Sequence, residues 1–207
     1  MGSRQNLGQR QHGNAVGQQA DLRVRKKMRT YVDTSALPSN IRRHSGDPKA
    51  QADLAACEEL AKRFPMFGSR IVGYEADMTK DQTQRSSLII DFKALEPIQK
   101  DERLLGFNYV EDPYGGFVCS PLISDVQDET LRQELMERGL QQRDAEHITQ
   151  AVCNNCDVFL TRDEKSIIIP HREWLENRFP KLKIMRPVAL VAFLDSAANS
   201  ASRLNAK

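Results

Sequence analysis

Cysteine is scarce in this chain. Four thiols in 207 residues, at positions 57, 119, 153 and 156, are too few to staple a domain of this size. The fold must therefore rest on a hydrophobic core, and a chain of this length can bury one. Long apolar runs are lacking as well. The longest, Val188-Ala-Leu-Val-Ala-Phe-Leu194, is far short of a helical membrane span, so no membrane partner is expected. No basic, apolar and small-residue leader opens the chain, and a cytoplasmic location is the expectation. Excess positive charge is also missing from most of the sequence. Residues 1–30 carry seven Lys/Arg against Asp21 alone, and the other 177 hold 23 basic and 27 acidic groups, a net −4. Bulk charge does not mark that part as a nucleic-acid binder, although a cluster of metal-binding carboxylates would itself tilt the count this way.

What is present divides into three. Residues 1–28 are rich in Gln, Gly and Arg with no apolar period, and read as a disordered or non-native basic extension. Residues 29–195 carry the pattern of one domain, and 196–207 read as a flexible tail. Within the domain, Arg29-Thr-Tyr-Val-Asp33 predicts a short strand. Asp47-Pro48 predicts a cap and first turn, followed by a helix with Ala50, Leu54, Cys57 and Ala61 on one face. Residues 65–69 predict a strand and turn, 70–79 and 81–94 helices. The segment 95–127 is irregular, with Asp112-Pro-Tyr-Gly-Gly116 as a turn signal between apolar runs. Helices over 128–140 and 144–154, a strand from Asp157 to Thr161, a helix over 171–178, a strand from Leu182 to Met185 and a last helix from Pro187 complete the series. Helices alternating with short apolar strands predict an α/β fold with a parallel sheet covered on both faces, a three-layer α/β/α sandwich.

The run Cys153-Asn-Asn-Cys156-Asp-Val-Phe-Leu-Thr-Arg-Asp163 holds two chemical signals. A redox Cys-x-x-Cys needs a helix N-terminus to stabilise its thiolate, and here the pair follows a helix. A zinc site needs two further ligands, and Cys57 and Cys119 are isolated. Dimensions favour the other end of the run. A helix from Asp144 to Cys153 descends about 14 Å at ~1.5 Å per residue, and a strand from Asp157 to Asp163 climbs back about 20 Å at ~3.3 Å per residue. Asp144 and Asp163 therefore share one end of the sheet. Asp33 also lies just beyond the carboxyl end of its strand, where open α/β sheets bind ligands. Parallel neighbouring strands would bring all three together. Two such charges ~5 Å apart repel by about 3 kcal/mol at an effective dielectric near 20, a cost that Mg²⁺ or Mn²⁺ relieves. Metal-assisted phosphodiester hydrolysis is the chemistry such a site supports. The same acids also fit a plainer role, capping helices and solvating loops.

Three residues near this end are candidates for substrate binding. Arg42 and Arg43, in the loop after Asp33, are placed to grip a phosphate, with a solvated basic loop as the plainer reading. His147, one turn along from Asp144, is placed to approach a metal or phosphate, with a surface or core histidine as the plainer reading. Trp174 and Phe179 read as packing.

Tyr31-Val-Asp-Thr-Ser-Ala-Leu37, Asp144-Ala-Glu-His-Ile-Thr-Gln-Ala151 and Cys156-Asp-Val-Phe-Leu-Thr-Arg-Asp163 resemble the PIN domain, and within it the VapC-like toxin ribonucleases. The resemblance covers residues 29–195 and is most specific over 144–164. It implies an acidic quartet of Asp33, Glu75, Asp144 and Asp163 as catalytic metal ligands, with Asp77 in reserve for Glu75 because the two point about 200° apart on a helix. It also implies hydroxyls at Thr34 and Thr161 orienting the carboxylates or bound water. The implied activity is a Mg²⁺- or Mn²⁺-dependent endoribonuclease leaving a 5′-phosphate and a 3′-hydroxyl, with a small antitoxin partner and a homodimer. Two rivals stay open: a PIN-like nuclease that processes RNA or DNA without an antitoxin, and a catalytically silent RNA-binding module. The segment 95–127 is longer than in compact members of the family.

Overall fold

The computed structural model describes residues 28–98, 106–111, 117–122 and 128–204. Residues 1–27 of the extension expected over 1–28, and the turn expected at 112–116, lie outside the described residues. The chain is α/β, and its central sheet has five strands, all parallel. The first strand is β1 (Thr30–Val32), followed by a 3₁₀ turn at Thr34–Ala36 and the helices α1 (Pro38–Arg42) and α2 (Pro48–Arg63). Next come β2 (Met66–Gly68), α3 (Arg70–Asp77), α4 (Gln82–Lys93) and β3 (Glu96–Pro97). An antiparallel pair, β4 (Gly106–Glu111) and β5 (Phe117–Leu122), stands apart from the central sheet and occupies part of the segment expected to be irregular. After it follow α5 (Glu129–Glu137), α6 (Gln142–Cys153), β6 (Val158–Leu160), a π turn at Glu164–Ile168, α7 (Ile169–Arg178), β7 (Lys183–Met185) and α8 (Pro187–Leu204). Among the described residues no helix is long and apolar enough to cross a membrane.

The strand order is β3-β2-β1-β6-β7. From β1 the chain builds outward to β2, and from β6 it builds outward the other way to β7. The order therefore reverses between β1 and β6, and open parallel sheets bind ligands at the carboxyl end of such a switch point. These two central strands are fully buried, as continuous apolar runs in a covered parallel sheet should be. Tyr31 is in register with Phe159, and the rings stack with centroids 5.7 Å apart and planes within 8°. Burying side chains of this size contributes about 1.5–3 kcal/mol each, enough to lock the two strands that carry the site. The helices pack in pairs, α2 on α8, α3 on α4 and α5 on α6, with α6 also on β6. This arrangement is compatible with a three-layer sandwich.

Caps explain where the helices start. Asp47, Ser69, Asp81 and Asp128 accept backbone N–H groups from the first turns of α2, α3, α4 and α5. The end of α6 explains the Cys-Asn-Asn-Cys spacing. Asn155 takes the left-handed conformation at φ 51°, its N–H reaches Val152 O at 3.0 Å, and Cys156 N–H reaches Ala151 O at 2.9 Å. Those two bonds define a Schellman cap, whose last residue packs back on the helix. Cys156 and Ala151 are both buried in the main core. The cysteine spacing thus follows from helix termination.

Three expectations are corrected. The face of α2 that packs inward is Ala50, Asp53, Ala56, Cys57 and Leu60. Ala61 is exposed and Leu54 only half-buried. The helix expected over 171–178 begins earlier, at Ile169, and follows a π turn. The last helix continues to Leu204, through most of the segment 196–207 read as a flexible tail.

Candidate metal centre

Asp33 follows β1, and its N–H extends the ladder to Leu160 O at 3.0 Å. The side chain is almost buried, 6% exposed. Its Oδ2 accepts hydrogen bonds from the hydroxyls of Ser35 and of Thr161, the latter at 2.8 Å. Thr161 Oγ1 in turn accepts the Asp163 N–H at 3.0 Å. One buried hydroxyl therefore ties the loop after β1 to the loop after β6. Ser35 adds a second tie by accepting the Arg162 N–H at 2.9 Å.

Glu75 reaches the same place from the middle of α3. Its Oε2 accepts the Thr34 hydroxyl and lies 3.0 Å from His147 Nε2. The same nitrogen is 3.7 Å from Asp33 Oδ1. Asp33, Glu75 and His147 each place one donor atom within 4.8 Å of the others, close enough to hold a metal ion. Asp77, two residues from Glu75, is exposed. The helix geometry that allowed only one of the pair to face inward has placed Glu75 there.

Asp144 and Asp163 stand outside that tight group but within its field. Asp144, in the first turn of α6, is half-buried. Burial pushes its carboxyl up to about 6, and the charges of Asp33, Asp163 and Glu75 push the same way against the opposing pull of His147. Asp163 accepts the Ser166 N–H at 2.8 Å and so also caps the π turn. For this residue the capping role is realised alongside any other. Burial alone would raise the Glu75 carboxyl, but hydrogen bonds and charge from His147, with the Thr34 hydroxyl, hold it below the usual range. His147 is the counterpart. Burial would lower it, and Glu75, Asp33 and Asp144 together raise it.

The histidine is thus a buried core group aimed at the acids, between the two readings its sequence position allowed. Its other ring nitrogen lies 2.8 Å from the Tyr31 hydroxyl, which is 2.7 Å from Ser69 Oγ. Tyr31, Ser35 and Ser69 were not singled out in the sequence. A signal for the first existed, because Tyr31 lies two residues before Asp33 and strand residues two apart share a face.

The arginine candidates do not join this group. Arg42 and Arg43 are exposed at the end of α1, and Arg42 contacts Glu58 at 3.4 Å. None of their hydrogen bonds among the described residues reaches the acids. Trp174 and Phe179 meet edge to face with centroids 6.5 Å apart and pack against the core, as expected. Cys57 and Cys156 are buried, and burial pushes their thiols up to about 12 and about 11. Neither is poised as a thiolate.

Compared with known proteins, the chain matches no family model, no curated protein and no solved structure.

Proposed function

We propose that the protein is a PIN-like, metal-dependent endoribonuclease that hydrolyses RNA phosphodiester bonds. One observation carries the reading: Asp33 and Glu75 converge at the switch point of a parallel sheet, with Asp144 and Asp163 close enough to perturb one another. The donor set suits a divalent cation, since carboxylate oxygens favour Mg²⁺ and Mn²⁺ and a single imidazole leaves Mn²⁺ well served. Asp33 and Glu75 would hold the ion, with Asp163 and Asp144 at its edge.

Bound there, such an ion would activate a water and stabilise the leaving oxygen. The protein's own groups supply positioning. Thr161 and Ser35 occupy Asp33 Oδ2 and leave Oδ1 turned toward His147. On Glu75 the Thr34 hydroxyl and His147 Nε2 both meet Oε2. Asp144, half-buried in the first turn of α6, would accept a hydrogen from the attacking water and orient it toward phosphorus. The resemblance to VapC-like toxins supports an antitoxin partner, a homodimer and products with a 5′-phosphate and 3′-hydroxyl.

The test is cleavage of a structured RNA in Mg²⁺ or Mn²⁺ by the full chain, beside Asp33→Asn and Asp144→Asn. Cleavage by the unaltered protein and its loss in both variants is expected. Equal cleavage in all three, or no cleavage together with no metal binding by calorimetry, would sink the proposal.

A further inference from the structure

The tight group that brings its donor atoms together is made of carboxylates with one exception. The exception, His147, is 1% exposed and held from behind. An imidazole can ligate a metal through Nε2 only if the ring hydrogen sits on Nδ1 and is accepted there, and such partners fix both tautomer and ring orientation. Tyr31 supplies that acceptor. Its hydroxyl oxygen is 2.8 Å from Nδ1, and its own hydrogen has an acceptor in Ser69 Oγ at 2.7 Å. Ser69 Oγ is already an acceptor, because it receives the Ile71 N–H at 3.2 Å as the cap of α3. The chain of donors can therefore run from the histidine through the tyrosine to the helix cap, with every buried polar atom satisfied. Without a cation, Nε2 donates to Glu75 Oε2 at 3.0 Å and lies 3.7 Å from Asp33 Oδ1; a bound ion would replace that hydrogen and take the Nε2 lone pair, while Nδ1 keeps its own hydrogen on Tyr31.

We infer that His147 is a nitrogen ligand in this centre, with Tyr31 and Ser69 as positioning residues that set its tautomer, and that the site takes a transition ion such as Mn²⁺ in preference to Mg²⁺. The inference rests on the metal-centre reading above and deepens it. A site of two carboxylates and water would favour hard ions, whereas one imidazole shifts the preference along the first transition row. Tyr31 and Ser69 are both essentially buried, so bulk water cannot substitute for either partner.

The test is Mn²⁺ binding to the full chain, read by calorimetry and by pulsed electron paramagnetic resonance for ¹⁴N coupling to the bound ion. A ¹⁴N coupling is expected in the unaltered protein and its loss in His147→Gln. Tyr31→Phe keeps the ring that stacks on Phe159 and removes only the oxygen. It should weaken Mn²⁺ binding by about 10–100-fold, the usual effect of losing a partner behind a metal-bound histidine. Ser69→Ala, which leaves the tyrosine oxygen in place, should weaken it less. Circular dichroism and thermal unfolding check that the variants are folded, and His147→Gln decides the matter if Tyr31→Phe is not. Mn²⁺ bound without nitrogen coupling would overturn the inference, as would unchanged affinity in a folded Tyr31→Phe or no binding at all. RNA cleavage separates the two readings. Nitrogen coupling without cleavage removes the nuclease alone, and cleavage without nitrogen coupling removes the histidine ligand alone.

Discussion

Two buried aspartates lie on the same half of this protein and live in opposite surroundings. Asp53, on α2, is fully buried, and its Oδ2 accepts Arg162 Nε at 2.9 Å and a second hydrogen bond from Arg186. Arg186 also pairs with Glu164 in the π turn. Asp33 is nearly as buried but faces Glu75, Asp144 and a histidine. A buried carboxylate between two guanidinium groups has its charge balanced within the chain, although only Oδ2 takes the hydrogen bonds and the buried Oδ1 has no partner. Its product is geometry: it pins the loop that carries Asp163. A buried carboxylate among other carboxylates is satisfied only in part, by two hydroxyls and an imidazole. The first arrangement has its charge balanced without a ligand, and the second gains from a cation.

The comparison breaks most readily on stability. Asp53→Ala leaves Arg162 and Arg186 without their shared buried partner and should cost about 3–5 kcal/mol, read as a lower midpoint in urea unfolding. Asp33→Asn removes a charge from an acidic group and should cost far less in the metal-free protein. Comparable losses for the two variants would erase the distinction.

Metal binding sharpens it next. Glu75→Gln should weaken Mn²⁺ binding measured by calorimetry, and Asp77→Asn should leave it unchanged, since only the first residue faces the cluster. The reverse result would place the cation elsewhere on α3.

The smallest effect is pH dependence. Asp144 ionises at about 6 in the folded protein against an ordinary 3.8, so folding favours its protonated form. Its contribution is most favourable below 3.8 and is lost as pH rises through 6. In chelator, unfolding temperatures should show Asp144→Asn gaining on the unaltered protein between pH 4 and 7 and holding a constant margin above. After discounting for solvent screening of a half-exposed group, that margin is about 1 kcal/mol. Saturating Mn²⁺ should reduce or reverse it, because the ion favours the charged form. A margin independent of pH would show that Asp144 does not feel the cluster.

Much of the frame was legible in the residues. Apolar strands alternating with capped helices predicted the parallel sheet. The rises of α6 and β6 set Asp144 and Asp163 at the same end. Trp174, Phe179 and Cys57 were read as packing, and they pack. What escaped were several features in which a polar residue turns inward for a partner distant in sequence. Asp53 sits on a helix face whose apolar period favoured Leu54 and Ala61, and its burial depends on Arg162 and Arg186, more than a hundred residues away. His147 lies one turn from Asp144, but nothing local said whether the α6 face it shares would meet solvent, core or Glu75. The arginines at 42 and 43 do not join the group. They are near Asp33 in the chain, but α1 carries them to the surface beside Glu58.

The sequence by itself determined the elements, their ends and the end of the sheet where acids collect. Those follow from local physics: strand and helix period, caps, and the left-handed Asn155 that stops α6. Only the tertiary structure decided which acids meet, which are neutralised by arginine, and that a histidine backed by Tyr31 and Ser69 completes the group. Those depend on strand order and helix docking, where the hydrophobic core selects one arrangement and polar side chains take whichever partners that arrangement brings within reach.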